Sequence, residues 1–160
     1  MLSHTDKDGR PRMVDVAAKE VTHRTAHARS LVRFPVDVAD KLRGSGAVTK
    51  KGPVFQTAII AGVMAAKRTH ELIPFCHPLG VENCKLTIEF DDANQAVIDC
   101  HVGVHHRTGV EMEALTGASI AALTVYDMCK ALSHEIVIGD TRLIEKTGGK
   151  SAFKAREESA

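Results

Sequence analysis

Proline and glycine cut this chain into separately terminated elements, and that punctuation limits the folds open to it more than any other feature. Gly52-Pro53 opens a stretch of helical periodicity that runs to about Leu72. Proline suits a first helical turn, because the N–H it lacks would have had no intrahelical partner there. Phe55, Ile59, Gly62, Val63 and Ala66 fall on one stripe and are expected to face inward, with Lys67, Arg68 and Glu71 outward or sideways. Pro74 stops the helix, and Pro78 keeps the following segment extended.

The other elements take their places around that helix. From Val21 to Phe34 a period of two fits better than 3.6, with Thr22, Arg24, Ala26, Ala28, Ser30 and Val32 on one face, so a strand is expected. Pro35 to Arg43 reads as a short helix closed by Gly44-Ser45-Gly46. Val81–Phe90 and Ala96–Val104 read as strands joined through Asp91-Asp92-Ala93-Asn94, a hairpin. A second long helix is expected from about Val110 to Leu132, with Met112, Leu115, Ser119, Ala122 and Tyr126 along one face. A last strand, Glu135–Glu145, runs into a glycine loop.

The order β-α-α-β-β-α-β predicts an α+β fold. It matches a ferredoxin-like split βαβ sandwich, an antiparallel sheet with helices on one face. An apolar second face on that sheet would require a partner, so an oligomer is expected. Residues 1–12 and 154–160 read as flexible tails around a single domain, 13–153.

Composition narrows the function. At 160 residues and 44% hydrophobic, the chain holds one domain's worth of core. A net charge of +1 gives no global field for nucleic acid, so any cationic site is local. Aromatic residues are only 4%, which argues against a stacking platform for single strands. No apolar run is long enough to span a bilayer, and the first residues are polar rather than signal-like. Cys76, Cys84, Cys100 and Cys129 show no CxxC spacing, so reduced thiols in a cytoplasmic protein are expected.

Chemistry gathers at the ends of the apolar elements. Asp127 and Lys130 are three apart near the end of the second long helix and share a face. They could be an ordinary surface ion pair. Partial burial could instead lower the lysine's pKa and make it a proton carrier near neutrality. Glu111 and Glu113 open the same helix, where acidic residues complement the dipole; Glu113 also lies within about 40° of the Asp127 face. Cys76-His77 sits in a proline-bracketed loop. His101 and His105 could share a strand face, but nothing nearby in sequence completes a metal set, and none is expected.

Gly148-Gly149-Lys150-Ser151 fails as a P-loop, because Ile144 stands where glycine is needed and no helix follows. The loop, with Lys146 and Lys150, can still offer N–H groups and cations to phosphate, and Lys50-Lys51 beside a helix start has the same character.

Taken together, Met13-Val14-Asp15-Val16, Lys51-Gly52, Ala65 through Thr69, Leu72 through Leu79, Thr108 through Thr116, Tyr126 through Lys130 and Lys146 through Ser151 carry a specific resemblance. In this order and spacing the chain resembles the molybdenum cofactor biosynthesis protein C family, the cyclic pyranopterin monophosphate synthases, over about residues 13 to 153. Ile59 and Arg107 depart from that pattern, standing where a basic residue and a lysine are expected.

The resemblance implies a ferredoxin-like subunit assembling as a hexamer, a trimer of dimers, with active sites at subunit interfaces. It implies conversion of 3',8-cyclo-7,8-dihydroguanosine 5'-triphosphate, a small nucleotide-derived substrate, to cyclic pyranopterin monophosphate and pyrophosphate. It makes Asp127 and Lys130 the acid/base pair. It gives Phe75, Cys76, His77, Met112 and Glu113 contacts to substrate, and assigns Arg24, Lys51 and Lys146 to the triphosphate and ring. No cofactor is implied, although Mg²⁺ accompanying the triphosphate stays open. Bringing Lys51, His77, Asp127 and Lys146 around one ligand is easier if a neighbouring subunit supplies some of them, with Lys51 and Lys130 expected from different subunits. Two rival readings are a non-catalytic subunit that binds a nucleotide or pterin and a metal or redox module built on the Cys and His residues.

Overall fold

The computed structural model describes residues 8–156. The outer parts of both expected tails, 1–7 and 157–160, lie outside the described residues. The chain runs β1 (Thr22–Arg33), α1 (Val36–Gly44), β2 (Val48–Thr49), β3 (Gly52–Pro53), α2 (Val54–Lys67), α3 (Thr69–Leu72), β4 (Asn83–Phe90), β5 (Gln95–His106), α4 (Glu111–Cys129), β6 (Val137–Thr147) and β7 (Phe153–Lys154). The main sheet has the order β4-β5-β1-β6-β7, antiparallel throughout. Its four long strands, taken with α2 and α4, form the ferredoxin-like βαββαβ arrangement.

Alternation places the core. Ala26, Ala28, Ser30 and Val32 of β1 and Ala96, Ile98, Cys100, Val102 and Val104 of β5 are buried on the face covered by α4, while α2 packs against α4 and β4. Ser30 is satisfied there by the Thr141 hydroxyl at 2.8 Å.

The inward helix faces differ from the expected stripes. On α4, Met112 is exposed and Leu115, Ser119 and Tyr126 lie at the sides; Ala114, Gly117, Ala118, Ala121, Ala122 and Val125 are buried. On α2 the buried residues are Val54, Ala58, Gly62, Ala65 and Ala66, with Phe55, Ile59 and Val63 packed at the margin. Close approach explains the difference: a Cβ on Gly62 would lie 2.8 Å from the Gly117 carbonyl oxygen. Space between two helices that near admits small side chains, whatever the periodicity of the larger ones.

Three boundaries also moved. Gly52, at φ +108°, and Pro53 pair with β2 before the helix begins, so Pro53 is the cap of α2 rather than its first turn. The expected single helix to Leu72 breaks at Arg68. There the Thr69 hydroxyl donates to the Ala66 carbonyl at 3.0 Å, competing with the backbone ladder. After the glycine loop the chain returns as β7, with Phe153 opposite Lys146, where a solvated tail from 154 was expected.

The bare sheet face is not the apolar surface anticipated. It carries Arg29, Asp99, His27 and His101 in contact with one another, so these strands alternate apolar-in and polar-out. Exposed apolar side chains stand instead on the outer surface of the helices, at Ile60 and Met64 of α2 and Leu123 of α4.

Candidate active site

The sequence-predicted residues form two groups, at opposite ends of α4. At its C-terminal end Asp127 is held between two ammonium groups. Lys130 Nζ meets Oδ1 at 2.8 Å, and Lys51 Nζ meets Oδ2 and the Asp127 carbonyl, each at 2.8 Å. Lys51 reaches this point because the β2–β3 turn brings it against the end of the helix, where the last carbonyls lack partners and favour a cation. Hydrogen bonds from Lys130 and then Lys51 hold the Asp127 carboxyl down to about 2.

The same bond raises the pKa of Lys130. A burial-lowered lysine is therefore not what this chain builds. Both groups are exposed, since they project outward from a turn whose inward residues are Met128 and Cys129. Lys51 and Lys130 also share one carboxylate within one chain, contrary to the expectation that different subunits supply them.

At the other end, a cleft of about 660 Å³ is lined by Phe75, Cys76, His77, Met112, Glu113 and Lys150, with Val14, Val16 and Lys19 across from them. His77 donates Nε2–H to the Val14 carbonyl at 2.8 Å, which fixes the imidazole and ties the N-terminal segment over the loop. Glu113 is 4% exposed, and burial pushes its carboxyl up to about 7, with Glu111 adding to the rise. It raises the Cys76 thiol in turn, after burial has done most of that work. Because Glu113 is buried and Asp127 exposed, the two do not form one carboxylate line along α4.

A smaller cationic cleft adjoins the first, sharing Lys19, Thr108, Gly109, Glu111 and Lys150 with it and adding Arg24, Arg107 and Lys146. Arg24 donates to the His106 carbonyl at 3.3 Å, and Lys146 pairs with Glu111 at 2.9 Å. Gly148, at φ +81°, passes so close to β1 that a Cβ would overlap the His23 carbonyl, and its own carbonyl accepts from the Thr22 hydroxyl at 2.7 Å. That contact pins the glycine loop against Arg24.

Sequence reading had no role for Lys19, and gave Arg107 only as a departure from the pattern. Arg107 donates to the Lys19 carbonyl at 3.0 Å, so the two arrive together. Lys19 carries no sequence signal beyond its positive charge, and Arg107 only its place before Thr108-Gly109.

Within one chain, then, Arg24, Phe75, Cys76, His77, Met112, Glu113 and Lys146 converge near the start of α4, and Lys51, Asp127 and Lys130 near its end. Glu113 and Asp127 are 14 residues apart, about 21 Å along a helix.

Comparison with known proteins follows the same segments. The MoaC family profile matches residues 13–149. Cyclic pyranopterin monophosphate synthase of Xanthomonas oryzae is 60% identical over 158 residues, covering 98% of this chain and 94% of that protein. The enzyme of that name from Desulfitobacterium hafniense is 50% identical, covering 98% of this chain and 95% of its own. Molybdenum cofactor biosynthesis protein 1 of Dictyostelium discoideum is 50% identical over 94% of this chain, which spans 27% of that longer protein.

Proposed function

A match of this extent makes the chain a member of the MoaC family, and we propose that it is a cyclic pyranopterin monophosphate synthase, a lyase of molybdenum cofactor biosynthesis. Its substrate in this reading is 3',8-cyclo-7,8-dihydroguanosine 5'-triphosphate, and its products are cyclic pyranopterin monophosphate and pyrophosphate. The observation that carries the reading is Asp127 fixed between Lys51 and Lys130, at the end of a helix whose start opens a cationic cleft.

The chemistry asks for two things. Opening and re-forming the purine-derived ring requires protons moved at nitrogen and carbon. Closing a cyclic phosphate as pyrophosphate leaves requires cations on the developing charge. Lys130, kept charged by Asp127, enters as the acid and returns as the base. Glu113, with a carboxyl that titrates near neutrality, binds the ring either as acceptor or donor. Arg24 and Lys146, beside the glycine loop, hold phosphate. No redox group enters, because the net change is rearrangement and cyclisation; any Mg²⁺ would arrive with the triphosphate.

The active unit in this reading is an oligomer. Two copies packing through the exposed Ile60, Met64 and Leu123 surfaces, with α4 antiparallel to its twin, would bring one chain's Asp127 group to the other's Glu113 cleft. A trimer of such dimers is the hexamer the family resemblance implies. Four free thiols suit a reducing, cytoplasmic setting, and among the described residues no helix is long and apolar enough to cross a membrane. Incubating purified protein with the cyclised substrate and measuring pyrophosphate tests the proposal. Release dependent on Lys130 supports it, whereas tight binding with no turnover would favour the non-catalytic alternative.

A further inference from the structure

Lys19 and Arg107 flank the site without a part in the proton transfers or the phosphate contacts assigned to Arg24 and Lys146. Lys19 lines both the main cleft and the smaller cationic one, and Arg107 lines the smaller. That smaller cleft holds about 160 Å³, with Arg24, Lys146 and Lys150 on its other walls. Glu111 neutralises Lys146 there. A cleft lined so heavily by one sign of charge concentrates anions of several charges.

Lys19 belongs to a stretch with little of its own to fix it. Residues 13–19 form neither helix nor strand, and apart from the half-buried Val14 and Val16 they are exposed. Local bonds shape a turn: the Ala17 N–H donates to Asp15 Oδ1 at 2.8 Å, and the Lys19 N–H to the Val16 carbonyl at 3.0 Å. Those bonds set the turn's shape and not its place over the cleft. Its place comes from long-range ties, His77 to the Val14 carbonyl at 2.8 Å and Arg107 Nε–H to the Lys19 carbonyl at 3.0 Å. The second falls on the cation's own residue. Arg107 is in turn fixed from behind. Arg24 donates Nε–H to the His106 carbonyl at 3.3 Å and Nη2–H to the Arg107 carbonyl at 3.4 Å. Its Nη1 lies 3.0 Å from where a Cβ on Gly149 would stand. One guanidinium thus spans the glycine loop and the 106–107 corner, and the next carries the corner's position on to Lys19. Arginine suits this, because its donors point in fixed directions from a planar group.

We infer that Arg107 is a positioning residue for phosphate binding, acting through the Lys19 carbonyl to hold the Lys19 ammonium over the cationic cleft. With the synthase reading as premise, the anion held there is the substrate's triphosphate, and Arg107 does not itself touch it. Without the tie, the exposed turn would have to be ordered anew each time an anion bound, and affinity would fall by that cost.

Inorganic tripolyphosphate is titrated into the full-length assembled protein by calorimetry at one fixed, low ionic strength. Lys19→Met and Arg107→Met should each weaken binding about tenfold, the scale of one lost bond to a charged group. The double variant should lose little more than either single one, since both substitutions remove the same contact. Arg107→Gln separates position from charge. Its amide nitrogen stands as many bonds from the backbone as arginine Nε, so it keeps the donor and drops the charge, and it should regain most of the lost affinity. In the pyrophosphate assay Arg107→Met should raise KM about tenfold and leave kcat within about twofold of the parent. Circular dichroism should match the parent for every variant, as these side chains are exposed. Equal losses in the Gln and Met variants would assign Arg107 a direct charge effect, and additive losses in the double variant would make the two cations independent; either overturns the inference. A parent protein that turns over the cyclised substrate yet does not bind tripolyphosphate would overturn it too. The expected binding pattern in a protein without turnover would instead overturn the synthase reading and leave the Arg107 tie standing.

Discussion

Asp127 shows how little a residue pair says until its surroundings are known. The spacing of Asp127 and Lys130 was legible in the sequence, but two different chemistries were open: a depressed lysine or a salt-bridged one. The structure supplies a third partner, Lys51, and an exposed setting, so both charges persist through neutral pH. Lys130→Ala is accordingly expected to lower the rate of pyrophosphate release by at least ~10²-fold, the usual scale for a lost acid/base group. Its melting temperature should stay within a few degrees of the parent, since an exposed pair contributes little to stability. Near-normal turnover would remove Lys130 from the chemistry.

Glu113 is the opposite case, because burial sets its properties and a sequence does not show what will cover a helix start. Its carboxyl rises from 4.5 to about 7, so the folded chain binds that proton more tightly than the unfolded one. The resulting stability is whole below the unfolded value and is lost as pH rises through the folded one. The loss is at most about 3 kcal/mol. Glu113→Gln should abolish that part of the pH dependence, measured by urea unfolding at about pH 5 and about pH 8.5. It should also remove an ionisation near neutrality from the kcat/KM profile. Identical pH dependence in both proteins would mean the carboxyl is not the group responsible.

At the scale of elements, β1, β4, β5 and β6 were readable because turn residues bound them and one face is apolar. The inward faces of α2 and α4 were not, because both helices are apolar around most of their girth. What selects the contact is the distance of approach, and glycine sets that distance. A Cβ on Gly62 would meet Leu86 Cδ2 at 2.6 Å as well as the Gly117 carbonyl oxygen. The leucine tip can move; the carbonyl moves only with α4. Gly62→Ala is therefore expected to cost about 1–3 kcal/mol, seen as a lower urea midpoint at unchanged slope. Gly80→Ala, where nothing lies within 4 Å, is the control and should leave the midpoint in place. Equal midpoints for the two variants would show that the helices have room to spare.

For the whole molecule, the site residues named from sequence fall into two groups, one lining the clefts at the start of α4 and one around Asp127 at its end. Their two groups are separated by most of the length of α4, about 21 Å from Glu113 to Asp127. Sequence order is silent on this, since a motif records what a ligand touches and not which copy provides it. Pairing Lys51→Ala with Lys130→Ala cannot test sharing, as both lysines serve the same Asp127. Lys130→Ala mixed with His77→Ala can. If each site takes Lys130 from one chain and His77 from the other, a mixed dimer holds one doubly altered site and one intact site. Random exchange at equal concentrations makes half the dimers mixed, so about a quarter of full activity should return from two inactive parents. A sample shown by native mass spectrometry to contain mixed oligomers, yet still inactive, would place Lys130 and His77 in the same chain's contribution, and the two ends of α4 would then need some other route to one substrate.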